Sequence, residues 1–295
     1  MKLSREDKIF DLINYIVLGA VSLLVLYPLY FMVIASFSSP EMVNSGQIVL
    51  VPRGVTLDGY KRLVQDANIW IGYRNTIIYT VFGTFLNIVV TVSAAFALAH
   101  RDLVGKQFFM GYFVFTMYFS GGMIPLYIVV NKIGLYNNPM VLIILGAVSV
   151  YNLIIARTFF QTTLPPELYD AAAIDGCGNF RFFIQIAVPL SKAIIAVLVV
   201  FYGVGHWNEF FNALMYISKK EYYPLQLVLR EILLQSRMVE QVATEAALID
   251  LQERQRYAEL IKYGVIVVSS LPILAVYPFA QKYFVKGVMI GSVKG

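Results

Sequence analysis

The sequence is poor in charge, in cysteine and in histidine. Only 14% of its 295 residues are Asp, Glu, Lys or Arg, against about a quarter in an ordinary soluble domain. The single cysteine, Cys177, excludes an internal disulfide and says little about redox compartment. The two histidines, His100 and His206, form no paired-histidine metal motif, and His206 with Glu209 three residues on makes at most half a metal site. No Gly-x-x-x-x-Gly-Lys-[Ser/Thr] loop occurs, so ATP phosphates have no such cradle in this chain. No nucleophile and base stand out as a pair, which argues against an enzyme. The basic residues are scattered over loops and form no patch, so the net charge of +5 does not point to nucleic acid. Neither an internal repeat of fixed period nor a low-complexity tract is present.

What the chain has in quantity is apolar sequence, 59% of it, gathered in blocks that no soluble core needs. A helix of about 20 apolar residues crosses a bilayer. Six blocks qualify: 10–37, 75–99, 106–130, 139–160, 191–217 and 263–284. They predict an all-α polytopic protein, one transmembrane domain over residues 1–295. A β-barrel would instead need short alternating strands. The first block exceeds the h-region of a signal peptide, and no small-x-small cleavage site follows it closely, so it reads as a retained span. Pro28, Gly121, Gly122, Pro125, Pro272 and Pro278 fall inside the blocks and mark local breaks in the backbone ladder.

With six spans both termini share a side. The 23 basic residues divide almost evenly between the two sides, so the flanks of the first span decide. Lys2, Arg5 and Lys8 precede it, and no basic residue follows until Arg53. That asymmetry puts the termini in the cytoplasm. Loops 38–74 and 218–262 then lie outside, and the insert 164–190 lies in the cytoplasm. The first loop is turn-rich, with a short helix expected over Asp58–Gln65. In the second, PLQLVLREILLQSR puts Leu225, Val228, Leu229, Ile232 and Leu233 on one helical face. It is either a solvated cap or a docking surface for an external partner.

The insert is polar for its surroundings. Leu164-Pro165-Pro166 opens it, and proline suits the first turn of a helix. Glu167 and Asp170 follow, where negative charge complements the helix dipole. Three alanines, Ala171 to Ala173, precede Asp175 and Gly176, and Gly176 can take the left-handed conformation that ends a helix. Asn179 is a suitable N-cap for a second helix over 180–187. The result is a short helix with small side chains and acidic residues, a knob for another protein to grip.

These residues carry a resemblance. Asp170-Ala171-Ala172, then Gly176, then Ile186, then Val188-Pro189 are similar, anchor by anchor, to the cytoplasmic motif of bacterial ABC importer permeases. That motif reads Glu-Ala-Ala, three residues, Gly, nine residues, Ile, any residue, Leu-Pro; here Asp replaces Glu and Val replaces Leu. The stretches YFSGGMIPLY, NLIIARTFFQ, GHWNEFFNAL and KGVMIGSVKG extend the likeness along the chain. It resembles the carbohydrate-uptake, maltose-type permeases, and within them the complex-oligosaccharide subgroup. The resemblance implies a type I importer permease fold in the bacterial inner membrane, with cytoplasmic termini. It implies a non-catalytic subunit holding half of an oligosaccharide pathway, beside a second, related but different permease. Two ATPase subunits that bind ATP and Mg, and an extracellular solute-binding protein, would complete the importer, leaving this chain without a cofactor of its own. The coupling set would be Glu167, Asp170, Ala171, Ala172, Asp175, Gly176, Ile186 and Pro189. The tail 291–295 would reach the ATPase, or is simply a frayed end.

Glu209 lies within the fifth block, and an intramembrane carboxylate marks a functional site by default. Tyr202, His206, Glu209, Asn212 and Tyr216 follow helical spacing and would make one face of rings and hydrogen-bonding groups, the kind of surface that takes sugars. Tyr118, Tyr127 and Asn152 are further candidates for the pathway. The structural alternative is that Glu209 pairs with a polar group on a neighbouring helix or meets loop water. At the level of function, the alternative is a secondary transporter or channel driven by an ion gradient. Such proteins favour midplane charges and inverted repeats; here there is one candidate carboxylate and no repeat.

Overall fold

A computed structural model of the chain describes residues 4–235, 258–278 and 281, and these form helices and loops without a strand. Much of the second long loop and the tail 291–295 lie outside the described residues. The described residues fall into two compact units: 4–67 with 229–235 and 258–272, and 68–228 with 273–278 and 281.

In the first unit α1 (Arg5–Ser36) is opened by a capping box. Ser4 Oγ accepts the Asp7 N–H, and the Asp7 carboxylate accepts the Ser4 N–H. Most of α1's apolar side chains are exposed, as lipid-facing residues are when tails surround them. Its last turns are tied down: Tyr27 and Tyr30 donate to the carbonyls of Val49 and Leu50 in the loop after α2 (Pro40–Asn44). The expected helix over Asp58–Gln65 is present as α3. Tyr60 on it bonds Ser36 at 2.8 Å. Gly59 on α3 meets the Leu260 carbonyl so closely that a Cβ there would sit 2.4 Å from the oxygen.

The second unit is built on α4 (Ala67–Ala99), two turns longer than its apolar block suggested. After it come α5 (Lys106–Tyr118), α6 (Met123–Lys132), α7 (Met140–Ile144), α8 (Val150–Thr163) and α9 (Pro166–Ile174). Then follow α10 (Asn179–Leu190), α11 (Lys192–Trp207), α12 (Phe211–Tyr216) and α13 (Leu225–Gln235), which runs into the first unit. The last described helix is α14 (Ala258–Pro278).

Residues Glu6–Ser36, α4 and α14 are each long and apolar enough to cross a membrane. The third block is not one rod: α5 and α6 meet at 111° across Phe119–Gly122, where Gly122 has φ +88°. Glycine takes that conformation without the Cβ clash other residues meet. The fourth block is also interrupted, with α7 and α8 separated by residues 145–149 and Gly146 at φ +75°. The fifth begins at a 79° bend, where α10 of the insert joins α11, and its helix stops after Trp207. Composition registered apolar length; it did not register where the backbone ladder opens.

α4 holds the second unit together through a polar stripe. Asn75 donates to the carbonyls of Glu221 and Tyr223, and Tyr79 donates to that of Tyr222. Thr76 Oγ1 accepts the Leu225 N–H at 2.8 Å. The carbonyls that the 3-10 turn Lys220–Tyr222 and Tyr223 leave open, and the first N–H of the helix that follows, are thereby satisfied on a helix face. Around α4 lie two apolar clusters, one with Phe96, Leu153, Phe160 and Leu198, the other with Val130, Val141, Tyr216 and Leu227.

Candidate functional site

The 164–190 insert forms the expected helix pair, and its turn follows from sequence. Pro166 opens α9. Gly176 at φ +69° closes it, with Cys177 N–H bonded to Ala172 O and Gly176 N–H to Ala173 O. That is a Schellman closure. Gly178, not Asn179, caps the second helix: two residues after the left-handed glycine the chain is still extended, so Asn179 arrives already helical. A turn of π-helix, Phe183–Ala187, leads into the bend before α11.

An aromatic cluster pins the pair to the unit. Tyr169 stacks on Phe182 with centroids 4.4 Å apart, and Phe96 of α4 stands 6.1 Å from Phe182 and 5.8 Å from Phe160. The His100 ring meets Tyr169 edge-on at 5.3 Å. Burial here pushes the Tyr169 phenol above its ordinary value. The motif residues divide accordingly. Glu167, Asp170, Ala171, Asp175, Gly176 and Pro189 are exposed; Ile186 is half-buried; Ala172 is buried in the cluster. Ala172 therefore packs inward, against the cluster, while its neighbours in the motif face outward. Beside the acidic residues the outer surface carries Ile174 and Phe180, 87% and 79% exposed.

A second feature lies elsewhere in the same unit. A cavity of about 480 Å³ is lined by Asn152, Tyr202, His206, Glu209 and Asn212, with Ser149, Gly146, Phe201 and Leu126 among its other walls. Five of the eight expected pathway residues thus meet. The other three do not. Tyr216 is 2% exposed and stacks on Tyr127 at 6.0 Å inside an apolar cluster, and Tyr118 is exposed at the end of α5. Of the expected face only Tyr216 departs: α11 stops at Trp207, and Asn208–Phe210 shifts the helical phase before α12. Glu209 sits in that break, its two oxygens accepting the Asn212 N–H and the Asn212 side-chain amide, each at 2.9 Å.

Behind the cavity stands a polar node that sequence reading missed. Asn87 of α4 donates to the carbonyls of Gly146 and Ala147 at 2.9 and 2.8 Å, and its Oδ1 lies 2.7 Å from His206 Nε2. One turn on, the Tyr202 hydroxyl accepts the Ser149 N–H at 3.1 Å and lies 2.7 Å from Thr91 Oγ1. The signal was legible: Asn75, Tyr79, Gly83, Asn87 and Thr91 recur every fourth residue along an otherwise apolar helix, which places them near one face.

Residues 3–290 match the profile of the family described as binding-protein-dependent transport system inner membrane component. The chain belongs to this family. Among its relatives, protein LplC of Bacillus subtilis (strain 168) is 39% identical over 292 residues, covering 99% of this chain and 97% of that one. The polygalacturonan/rhamnogalacturonan transport system permease protein YtcP of the same organism is 37% identical over 290 residues, covering 98% and 100%. Among solved structures, a chain from a bacterial ABC transporter involved in the import of the acidic polysaccharide alginate superposes with a TM-score of 0.85. It is 31% identical and covers 96% of this chain and 99% of that one. The chain is an ABC importer permease subunit of the inner membrane, a translocating rather than a catalytic component. The type I permease fold and the motif at Asp170 to Pro189 agree with the family, and the gradient-driven alternative is not favoured.

Proposed function

We propose that this permease forms half of the pathway of an ATP-driven oligosaccharide importer, with the cavity bounded by Asn152, Tyr202, His206 and Asn212 as part of the sugar's route. The observation that carries the reading is that open cavity: hydrogen-bonding side chains stand beside Phe201 where α7, α11 and α12 are interrupted. Sugars need this pairing of apolar surface with polar groups that take hydroxyls. Relatives named for oligosaccharide transport support it, among them the arabinooligosaccharides transport system permease protein AraQ of Bacillus subtilis (strain 168), 25% identical.

The 164–190 insert is the coupling element in this reading, with Glu167, Asp170, Ala171, Asp175 and Gly176 presented outward. Its partners are two ATPase subunits, which bind ATP and Mg; a second permease of related but different sequence closes the pathway. A solute-binding protein delivers sugar on the outer side, and both termini are cytoplasmic. The test is purification of the chain from its native membrane in mild detergent, with co-purifying proteins identified. An ATPase, a second permease and a binding protein are expected with the natural chain, and Asp170→Lys should lose the ATPase alone. A stably folded chain that brings down no ATPase overturns the reading.

A further inference from the structure

The polar node behind the cavity constrains the chemistry of His206. Asn87 is fully buried in α4, and its amide nitrogen is committed to two backbone carbonyls, those of Gly146 and Ala147. These carbonyls belong to the interruption between α7 and α8, where the helix ladder no longer serves them. Rotating the amide by half a turn would set its oxygen against two carbonyl oxygens, so the orientation is fixed. Asn87 Oδ1 therefore points at His206 as an acceptor, and the His206 Nε2 at 2.7 Å must be the donor.

Packing reinforces this arrangement. The Cε1–Nε2 edge of the imidazole lies against Gly83, where a Cβ would come within 2.4 Å of both atoms. Glycine at that position lets the ring approach α4 closely enough to reach Asn87. Nδ1 is left as the nitrogen without a hydrogen-bond partner among the described residues, and His206 lines the cavity. In the neutral ring with Nε2 protonated, Nδ1 is an acceptor. The other strong acceptor of the lining, the Glu209 carboxylate, already takes two hydrogen bonds from Asn212.

We infer that Asn87 is a positioning residue of the pathway: it holds His206 as the Nε2–H tautomer, so that Nδ1 accepts a hydrogen bond from a hydroxyl of the transported sugar. The inference rests on the cavity being part of the sugar's route, but its first half, the tautomer, is independent of any sugar.

The experiment uses the assembled transporter in lipid nanodiscs, labelled with 15N-histidine, with the His206→Gln spectrum subtracted to isolate this imidazole. The sugar probe is whichever member of a panel of rhamnogalacturonan- and arabinan-derived oligosaccharides is taken up by the natural transporter. The natural protein should show a neutral ring with protonated Nε2 and bare Nδ1, and the sugar should shift the Nδ1 signal. Asn87→Ala should mix the tautomers and raise KM roughly five- to tenfold, the scale of one lost hydrogen bond, with kcat changed less. Gly83→Ala, which changes no lining side chain's chemistry, should do the same by pushing the ring off Asn87. An Nδ1–H ring or an imidazolium at neutral pH in the natural protein overturns the inference even if Asn87→Ala fails to assemble. So does an Nδ1 signal unmoved by a transported sugar. If no sugar of the panel is taken up while the tautomer is as expected, the choice of substrate class fails and the positioning by Asn87 stands.

Discussion

Glu209 and Asn212 close on each other twice, through the backbone N–H and through the side-chain amide, both at 2.9 Å. The carboxylate thus does the work of a helix cap at the start of α12, in the break that follows Trp207. A carboxyl group inside the fifth apolar block is held by donors from the residue three positions on.

Glu209→Ala should therefore cost about 1 kcal/mol, the usual value of a lost N-terminal cap, and lower the thermal unfolding temperature in detergent. Glu209→Gln retains an acceptor for the Asn212 N–H and should sit between the two. A large rise in KM for Glu209→Gln with unchanged stability would instead make Glu209 a sugar ligand.

Asp170 and Ala172 stand two residues apart on α9 and should fail differently. Asp170 is exposed, so Asp170→Lys should leave expression and unfolding temperature unchanged while ATPase association is lost. Ala172 is buried beneath it, and Ala172→Phe overpacks the cluster at a cost of about 1–3 kcal/mol. Comparing folded yield with ATPase capture for the two variants separates docking from packing.

Phe182→Ala removes the ring that Tyr169 stacks on and leaves a cavity under the insert, a loss of about 3 kcal/mol. Sugar-stimulated ATP hydrolysis should fall further than ATPase binding, because a loosened insert still docks but transmits less. Equal losses in both would make the cluster a docking determinant.

Tyr169 also sets a pH dependence. Its phenol is raised above the ordinary value by burial, so the folded state favours the neutral ring. The contribution is fully present below the unfolded value of about 10 and is lost as pH rises through the folded one. Unfolding temperature should fall more steeply above pH 10 for the natural protein than for Tyr169→Phe.

Thr76→Val strands the Leu225 N–H, which the Thr76 hydroxyl accepts at 2.8 Å in a buried site. An unsatisfied buried donor costs about 1–3 kcal/mol. Thr76→Ser keeps the oxygen and should recover most of the stability, measured by unfolding in detergent.

The all-helical apolar character, the α3 helix, the Pro166 start and the Gly176 stop of α9 were legible in sequence because each depends on neighbours in the chain. The interruption at Gly146 and the break after Trp207 were not, since an apolar run looks the same whether or not its ladder is continuous. The split of the motif into an exposed Asp170 and a buried Ala172 escaped for a related reason: spacing tells which residues share a face, not what covers it. Asn87 was not legible as a site residue although Asn75 to Thr91 recur every fourth residue, because an amide on an apolar helix acquires a role only through the distant groups that packing brings to it.

The sequence by itself determined that this is a helical membrane protein with an importer permease's motif between its fourth and fifth apolar blocks. Composition and local spacing suffice for that, since bilayer thickness and helix geometry act on contiguous residues. Only the tertiary structure decided which polar groups meet: Asn87 with the Gly146 and Ala147 carbonyls and with His206, and Thr91 with Tyr202. Those partners lie 59 to 119 residues apart in the chain. They are joined because backbone groups freed by broken helices in an apolar medium must be satisfied by whatever side chain packing brings within reach.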